Sequence, residues 1–325
     1  MNWGLKSGLL ILTFALQTFA SASAQEYPTQ RVRIIVPYVA GGGVDVLARP
    51  VADRLSKLWK QPVIIENRGG AAAMIGSEVV ARSAPDGYTL LVTTDGPITT
   101  NQFLLKKMPF DPATDLVPVT RIIDLHQMIL TSPAVGAKSM KELIAVGKTW
   151  PGGMNYGSQG IGSTPHLLFE MLKHKENLPL TNVQYKGLAP ALNDLLGGTI
   201  QLALAGAAAA GSHLEAGTMV GIATSRPQRL KALPNIPTLA ELGYADLHPG
   251  PWIGVFAAAG TPQPIIDKIQ GDIAAILADP QFREEFIEKP GYAGIGSTTA
   301  EFKSFIASET ERKKRLLTIV GLIAN

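Results

Sequence analysis

Short apolar runs alternate with amphipathic stretches along almost the whole chain, and this alternation predicts a series of strands and helices. Residues 32–37 (VRIIVP) read as a buried strand, followed by a glycine turn and a helix over about 45–59. Residues 63–66 (VIIE) form the next strand and 76–82 the next helix, and the turn Pro85-Asp86-Gly87 introduces a third strand over 88–93. Two extended segments meet within 117–130, where a second series begins. It comprises a helix over 138–150, a strand over 155–158, a helix from Thr164-Pro165 to about Lys175, a strand over 183–185, a helix over 189–196 and a strand over 199–205. Pro165 suits a first helical turn, where its missing N–H costs nothing. After the proline-rich stretch 233–251, residues 252–257 (WIGVFA) read as a return strand. Helices over 264–277, 280–288 and 299–317 are expected to pack on the first unit. The pattern predicts an α/β protein of two lobes with parallel, doubly wound sheets. Residues 25–127 with 252–325 form lobe 1 and residues 128–251 form lobe 2. Two chain crossings between lobes make a hinge, with a ligand held between them.

The N-terminal pattern differs from the rest. Residues 1–8 carry Lys6 and no acid, residues 9–20 (LLILTFALQTFA) are almost wholly apolar, and Ala22-Ser23-Ala24 supplies small side chains before Gln25. These are the parts of a secretory signal peptide, residues 1–24, cleaved after Ala24. As a helix the apolar run is about 18 Å long against a hydrocarbon core of ~30 Å, so it does not read as a membrane anchor. The chain is therefore expected outside the cytoplasm. The formal charge of +3 on 325 residues falls to +2 without Lys6. Lys313-Lys314-Arg315 is the nearest thing to a basic run and reads as a solvated helix face, so no nucleic-acid partner is expected. There is no cysteine, which excludes disulfides, thiol chemistry and a lipid-modified N-terminal cysteine.

Two loops carry the candidate chemistry. Tyr38-Val39-Ala40-Gly41-Gly42-Gly43-Val44-Asp45 follows the first strand, and its glycines allow the backbone to approach a ligand while helix N–H groups point at it, favouring an anion. Tyr156-Gly157-Ser158-Gln159-Gly160-Ile161-Gly162-Ser163-Thr164-Pro165-His166 runs from strand to helix in the other lobe in the same way. Two sets of backbone donors suit a carboxylate, which accepts several hydrogen bonds at once. A dinucleotide fold is a competing reading, because Gly41, Gly43 and Glu66 fall where its fingerprint needs them, but Val46 occupies the third glycine position. An exported serine hydrolase is another, but Tyr156 and Ile161 stand two residues before Ser158 and Ser163, where a nucleophile elbow has glycine. The histidines His126, His166, His174, His213 and His248 show no catalytic or metal-ligand spacing, so neither a cofactor nor a metal is expected. Asp95, after Thr93-Thr94, lies where cleft residues fall in such sheets, and a turn cap is its other reading.

At these residues the chain resembles the Bug-type periplasmic receptors of the tripartite tricarboxylate transporter system. Tyr27-Pro28, the Ala-Gly-Gly-Gly-x-Asp loop, PVIIENR at 62–68, APDGYTLL at 84–91, Tyr185-Lys186-Gly187, PALNDLLGG at 190–198 and Ala259-Gly260-Thr261-Pro262 carry the resemblance over the mature chain. It implies a Venus-flytrap fold closing on one small organic acid, a membrane permease as partner, no catalysis, and a monomer as the simplest state. Carried over, first-lobe contacts fall on Tyr38, Ala40, Gly41, Val44 and Asp45, with Thr93, Thr94 and Asp95 beside them. Second-lobe contacts fall on Ser158, Gln159, Ser163 and His166. Where the family commonly has an Asp-Asn pair, this chain has Ala205-Gly206-Ala207 and three more alanines, a small apolar wall with no partner for an amine. Val39 and Val44 replace the usual proline and threonine. The expected ligand is an aromatic or other apolar-bodied carboxylate, with a small polar di- or tricarboxylate as the alternative. A further expectation is a loaded form that also signals to a sensor kinase.

Overall fold

The computed structural model describes residues 27–247 and 250–323; the expected signal peptide and His248 lie outside them. The first series of elements is β1 (Val32–Val36), α1 (Gly43–Trp59), β2 (Val63–Asn67), α2 (Met74–Ala81), β3 (Thr89–Thr94), α3 (Asn101–Leu104) and β4 (Leu116–Asp124). The second is β5 (Met128–Thr131), α4 (Met140–Thr149), β6 (Met154–Ser158), α5 (Thr164–Glu176), β7 (Leu180–Gln184), α6 (Leu188–Leu196), β8 (Leu202–Ala205), α7 (Ala207–Glu215) and β9 (Val220–Thr224). The chain then returns through β10 (Trp252–Ala258), α8 (Gln263–Ala278), α9 (Pro280–Arg283), β11 (Ala293–Gly294) and α10 (Thr299–Ile319).

These strands form two sheets, β11-β4-β10-β3-β1-β2 and β7-β6-β8-β5-β9. Both are mixed rather than parallel. β10 is antiparallel to β3 and β4, and β5 is antiparallel to β8 and β9. Each of these is the first strand its sheet receives after the chain crosses over. A strand that enters at the hinge edge has to run away from it, opposite to the strands that end there. Periodicity reports which residues are buried but not strand direction, so the sequence pattern did not reveal this.

Helices cover both faces of the first sheet, which is why β1 buries apolar side chains on both, Arg33 at its start being the exception. Val32, Ile34 and Val36 pack with Leu47, Val51 and Leu55 of α1 and Ile269 and Ile273 of α8. Ile35 points the other way, into a cluster with Met74, Trp252, Phe256 and Phe302. The Trp252 and Phe302 rings meet edge-on with centroids 5.2 Å apart; burying a ring of the Phe302 type contributes about 1.5–3 kcal/mol. In the second sheet Tyr156, Leu168, Phe169 and Leu172 fill one face, and Leu130, Ala191, Leu195 and Ile200 the other.

The lobes are linked where β4 passes to β5 and where the chain re-enters β10. The two crossings are bonded together, Leu125 N–H donating to the Pro251 carbonyl at 2.7 Å. α10 is a third link. A capping box between Thr298 and Glu301 starts it, Phe302 lies in the first-lobe core and Leu316 in the second. The last helix thus packs on both lobes, not on the first alone as its sequence suggests. Among the described residues no helix is long and apolar enough to cross a membrane.

Candidate functional site

Ligands of open α/β sheets sit beyond the strand ends where the strand order reverses. In the first sheet β1 lies between β2 and β3, and in the second β6 lies between β7 and β8. The reversal points therefore fall at the loops after β1 and β3 in one lobe and after β6 and β8 in the other. Both glycine-rich loops are there.

In the first lobe the structure brings Tyr38 together with Thr93 and Thr94. The Tyr38 hydroxyl lies 2.6 Å from Thr94 Oγ1 and 3.3 Å from Thr93 Oγ1. Burial raises the pKa of Tyr38, against the hydroxyl bonds, so the phenol stays protonated and able to donate. Asp45, 1% exposed, turns inward and braces the loop. Its carboxylate accepts from Gly41 N–H at 2.8 Å, from Arg49 Nε at 2.8 Å and from Asn67 Nδ2 at 2.9 Å. The Asp45 carboxylate and the Gly41 N–H are thus used by the loop itself, which corrects their expected placement against a ligand. The Val44 side chain is buried in the first-lobe core and does not set the loop's polarity; Val39, 75% exposed, and Ala40 lie at the tip. The first bond at the start of α1 runs from Val46 N–H to Gly42 O, and no side chain caps the helix. The N–H groups of Gly43, Val44 and Asp45 are left without intrahelical partners.

Asp95 caps the turn 96–100 through its backbone carbonyl, while its side chain neither caps it nor stands open. It is 6% exposed and forms an ion pair with Lys313 of α10, Nζ to Oδ2 2.9 Å. Lys313 is 1% exposed, so the basic run that reads as a solvated face has its first lysine in the interior. A single π turn, Gly96–Thr100, follows, a form that recurs at functional sites.

In the second lobe the predicted side chains shape their own loop. Ser158 Oγ accepts from Gly160 N–H at 3.2 Å, and Ser163 Oγ donates to the Gly160 carbonyl at 2.7 Å. His166 Nδ1 accepts from Gly162 N–H at 3.2 Å, which assigns the proton of the neutral ring to Nε2. Burial lowers the His166 pKa, Lys173 adds to this and Glu170 opposes it. Gln159 is exposed at the tip. Ser163, not Thr164, is the N-cap of α5, and its side chain does not cap the helix. The first bond runs from Leu167 N–H to Ser163 O, leaving the N–H groups of Thr164 and His166 free of intrahelical partners. Neither serine is paired with a histidine, and no three potential ligands cluster for a metal, among the described residues.

The alanine wall is only partly a wall. Ala205 is buried in the second-lobe core, so its methyl does not face outward. Gly206 is the uncapped start of α7, so the alanines 207–210 open a helix. Ala207 meets the first lobe, its Cβ 3.1 Å from where a side chain on Gly291 would begin, and Arg226 Nη1 donates to the Gly291 carbonyl at 3.0 Å. On the other side a Cβ on Gly162 would collide with Leu104 and lie 3.7 Å from Thr100. The lobes thus touch on both flanks. The site offers backbone N–H groups and hydroxyls, with its two acids, Asp45 and Asp95, paired with Arg49 and Lys313, which suits binding an anion rather than transforming it.

Two α/β lobes around such a crevice define a solute-binding receptor of the periplasmic-binding-protein type. The chain belongs to the receptor family of the tripartite tricarboxylate transporters: the model described as "Tripartite tricarboxylate transporter family receptor" matches residues 47–322. It is a family of binding proteins, not of enzymes. Protein BugT of Bordetella pertussis is 34% identical over 306 residues, covering 94% of this chain and 93% of its own length. A solved R. palustris structure with adipate is 31% identical with a TM-score of 0.80, covering 91% of this chain and 99% of the other. A Rhodopseudomonas palustris structure with bound malate is 25% identical with a TM-score of 0.75, covering 90% and 100%.

Proposed function

We propose that this chain is an exported receptor that holds one small organic carboxylate between lobes 25–127 plus 252–325 and 128–251, and passes it as a monomer to the membrane permease. One observation carries the reading. Helices α1, α5 and α7 begin beside the reversal points of the two sheets, and no side chain caps their first N–H groups. Uncapped N–H groups at the positive end of a helix attract an anion. The proposed contacts are the N–H groups of Ala40 and residues 43–45, the hydroxyls of Tyr38, Thr93 and Thr94, and, across the cleft, Gln159, His166 and the N–H groups starting α5 and α7. The exposed Val39 and Ile161 at the two loop tips favour an acid with an apolar body. Adipate, bound by one relative, is such a molecule; malate, bound by another, supports the polar alternative.

Gly43 provides the test. A Cβ there meets nothing within 4 Å, so a side chain is accommodated by the fold and intrudes only on a ligand. Gly43→Leu is expected to leave the unfolding midpoint unchanged and to weaken binding of adipate or malate by roughly tenfold or more. Undiminished affinity overturns the site. Export is tested by the N-terminus of the periplasmic protein, expected at Gln25.

A further inference from the structure

The geometry assigns Lys313 to the binding site although it lies on the last helix. We propose that Lys313 is a positioning residue: it neutralises Asp95 and holds the end of β3 so that Thr93 and Thr94 can receive an anion. The inference rests on the carboxylate-receptor reading and deepens it. Asp95 directly follows Thr94, and its backbone carbonyl starts the turn of residues 96–100 by accepting from Thr99 N–H at 2.8 Å and from the Thr99 hydroxyl at 3.0 Å. Its carboxylate is held by Lys313 at 2.9 Å. Left bare, a buried carboxylate here would repel a ligand carboxylate through a medium of low dielectric, where charge interactions are strong. The pair cancels both charges and leaves the ligand's charge to neutral donors. The position of Lys313 is not that of a surface lysine. Residues 302, 306, 309, 313 and 316 recur at intervals of four and three, so Lys313 lies on the stripe that carries Phe302 into the first core and Leu316 into the second. It therefore ties the binding strand to a helix embedded in both lobes.

The test uses Lys313→Met, Lys313→Arg, Asp95→Asn and the Asp95→Asn/Lys313→Met double variant, with adipate and malate as probes in calorimetry. Lys313→Met is expected to weaken binding by roughly tenfold, Lys313→Arg to restore it, and the neutral double variant to return within about threefold of the parent. Asp95→Asn, which leaves a lone cation near the site, is expected to bind at least as tightly as the parent. Parallel losses in both single variants, with no recovery in the double variant, make the pair mere packing and overturn the proposal. Amide exchange without ligand gives an independent readout: Lys313→Met should speed exchange over residues 93–101 and Lys313→Arg should not. If the parent binds neither probe, the receptor reading suffers, and the exchange result still decides the positioning role. If Lys313→Met fails to fold, the double variant decides it: affinity within about threefold of the parent supports the proposal, and a loss of roughly tenfold or more overturns it.

Discussion

The Tyr38 hydroxyl sits 2.6 Å from Thr94 Oγ1 and joins the loop after β1 to the end of β3 across the point where the strand order reverses. The contact fixes two hydroxyls side by side at the floor of the first lobe, one donating to the other and one left free to donate. Tyr38→Phe keeps the ring and removes the link. It is expected to lower stability by only about 0.5–1.5 kcal/mol, and ligand affinity by a similar amount, as one net hydrogen bond would. Calorimetric titration alongside thermal unfolding checks this. A loss of stability without any loss of affinity would remove Tyr38 from the site.

The Asp45 carboxylate is predicted to shape the loop, with only the residue's backbone N–H left for the ligand. Burial alone would raise its pKa, but bonds from Arg49, Gly41 N–H and Asn67 outweigh it and hold the carboxyl below its ordinary value of 3.8. A folded-state pKa below the unfolded one gives stability that is present above that value and lost as pH falls through the folded pKa. Asp45→Asn should cost about 1.5–3 kcal/mol at pH 7, in the range of hydrogen bonds to charged groups, and the gap to the parent should close on acidification below 3.8. Denaturant unfolding at a series of pH values measures it. A gap independent of pH contradicts the argument.

Gly162 reports on closure. Its φ is +79°, and a Cβ would collide with Leu104 of the opposite lobe. Gly162→Ala should hold the lobes apart and weaken binding by 1–3 kcal/mol, about the cost of a strained backbone position, or roughly five- to a hundredfold. Because the ligand can shift the closed state only by its differential affinity, Leu104→Ala in the same protein should recover part of the loss by making room. Small-angle scattering with and without ligand follows the compaction. Full compaction in Gly162→Ala would place the closing contact elsewhere.

Asp124, at the end of β4 beside the first crossing, should act on stability in the opposite sense to Asp45. Burial pushes its carboxyl up to about 6; Arg121 lowers it, and Glu309 raises it further. A carboxyl whose folded pKa exceeds its unfolded value makes the protein more stable on acidification between the two values. Asp124→Asn should therefore stabilise the protein at pH 7, and the advantage should disappear as pH falls from about 6 to 3.8. His166 works the other way in part of this range, since its lowered pKa costs stability below 6.5. The variant should consequently lose stability more steeply than the parent from pH 7 to 5. A destabilised Asp124→Asn at pH 7 would mean that pairing with Arg121 outweighs burial.

Periodicity and turn chemistry made most elements legible. The apolar β1, the glycines after it and the Pro165 helix start led directly to the two loops. Strand direction was not legible, because β5 and β10 have the same composition whichever way they run. The roles of Asp45, Ser158, Ser163 and His166 were half legible. Their positions followed from the loops, but their hydrogen bonds to Gly41, Gly160 and Gly162 depend on how each loop folds back on itself. The side chains of Val44 and Ala205 face the cores because these residues already belong to α1 and β8, whose facing the glycines beside them hide in the sequence. Lys313 carried a usable signal that a run of three basic residues concealed: it falls on the apolar stripe of α10, and a charge at such a position implies a buried partner.

The most direct measurement of the central claim is thermal unfolding of the mature, denatured and refolded protein against aromatic acids, aliphatic dicarboxylates, hydroxy-acids and acidic amino acids. A ligand at 100 times its Kd should stabilise the native state by about 2.7 kcal/mol. The account predicts that an apolar-bodied carboxylate raises the midpoint and that the amino acids do not. A refolded protein whose midpoint no carboxylate shifts would contradict it.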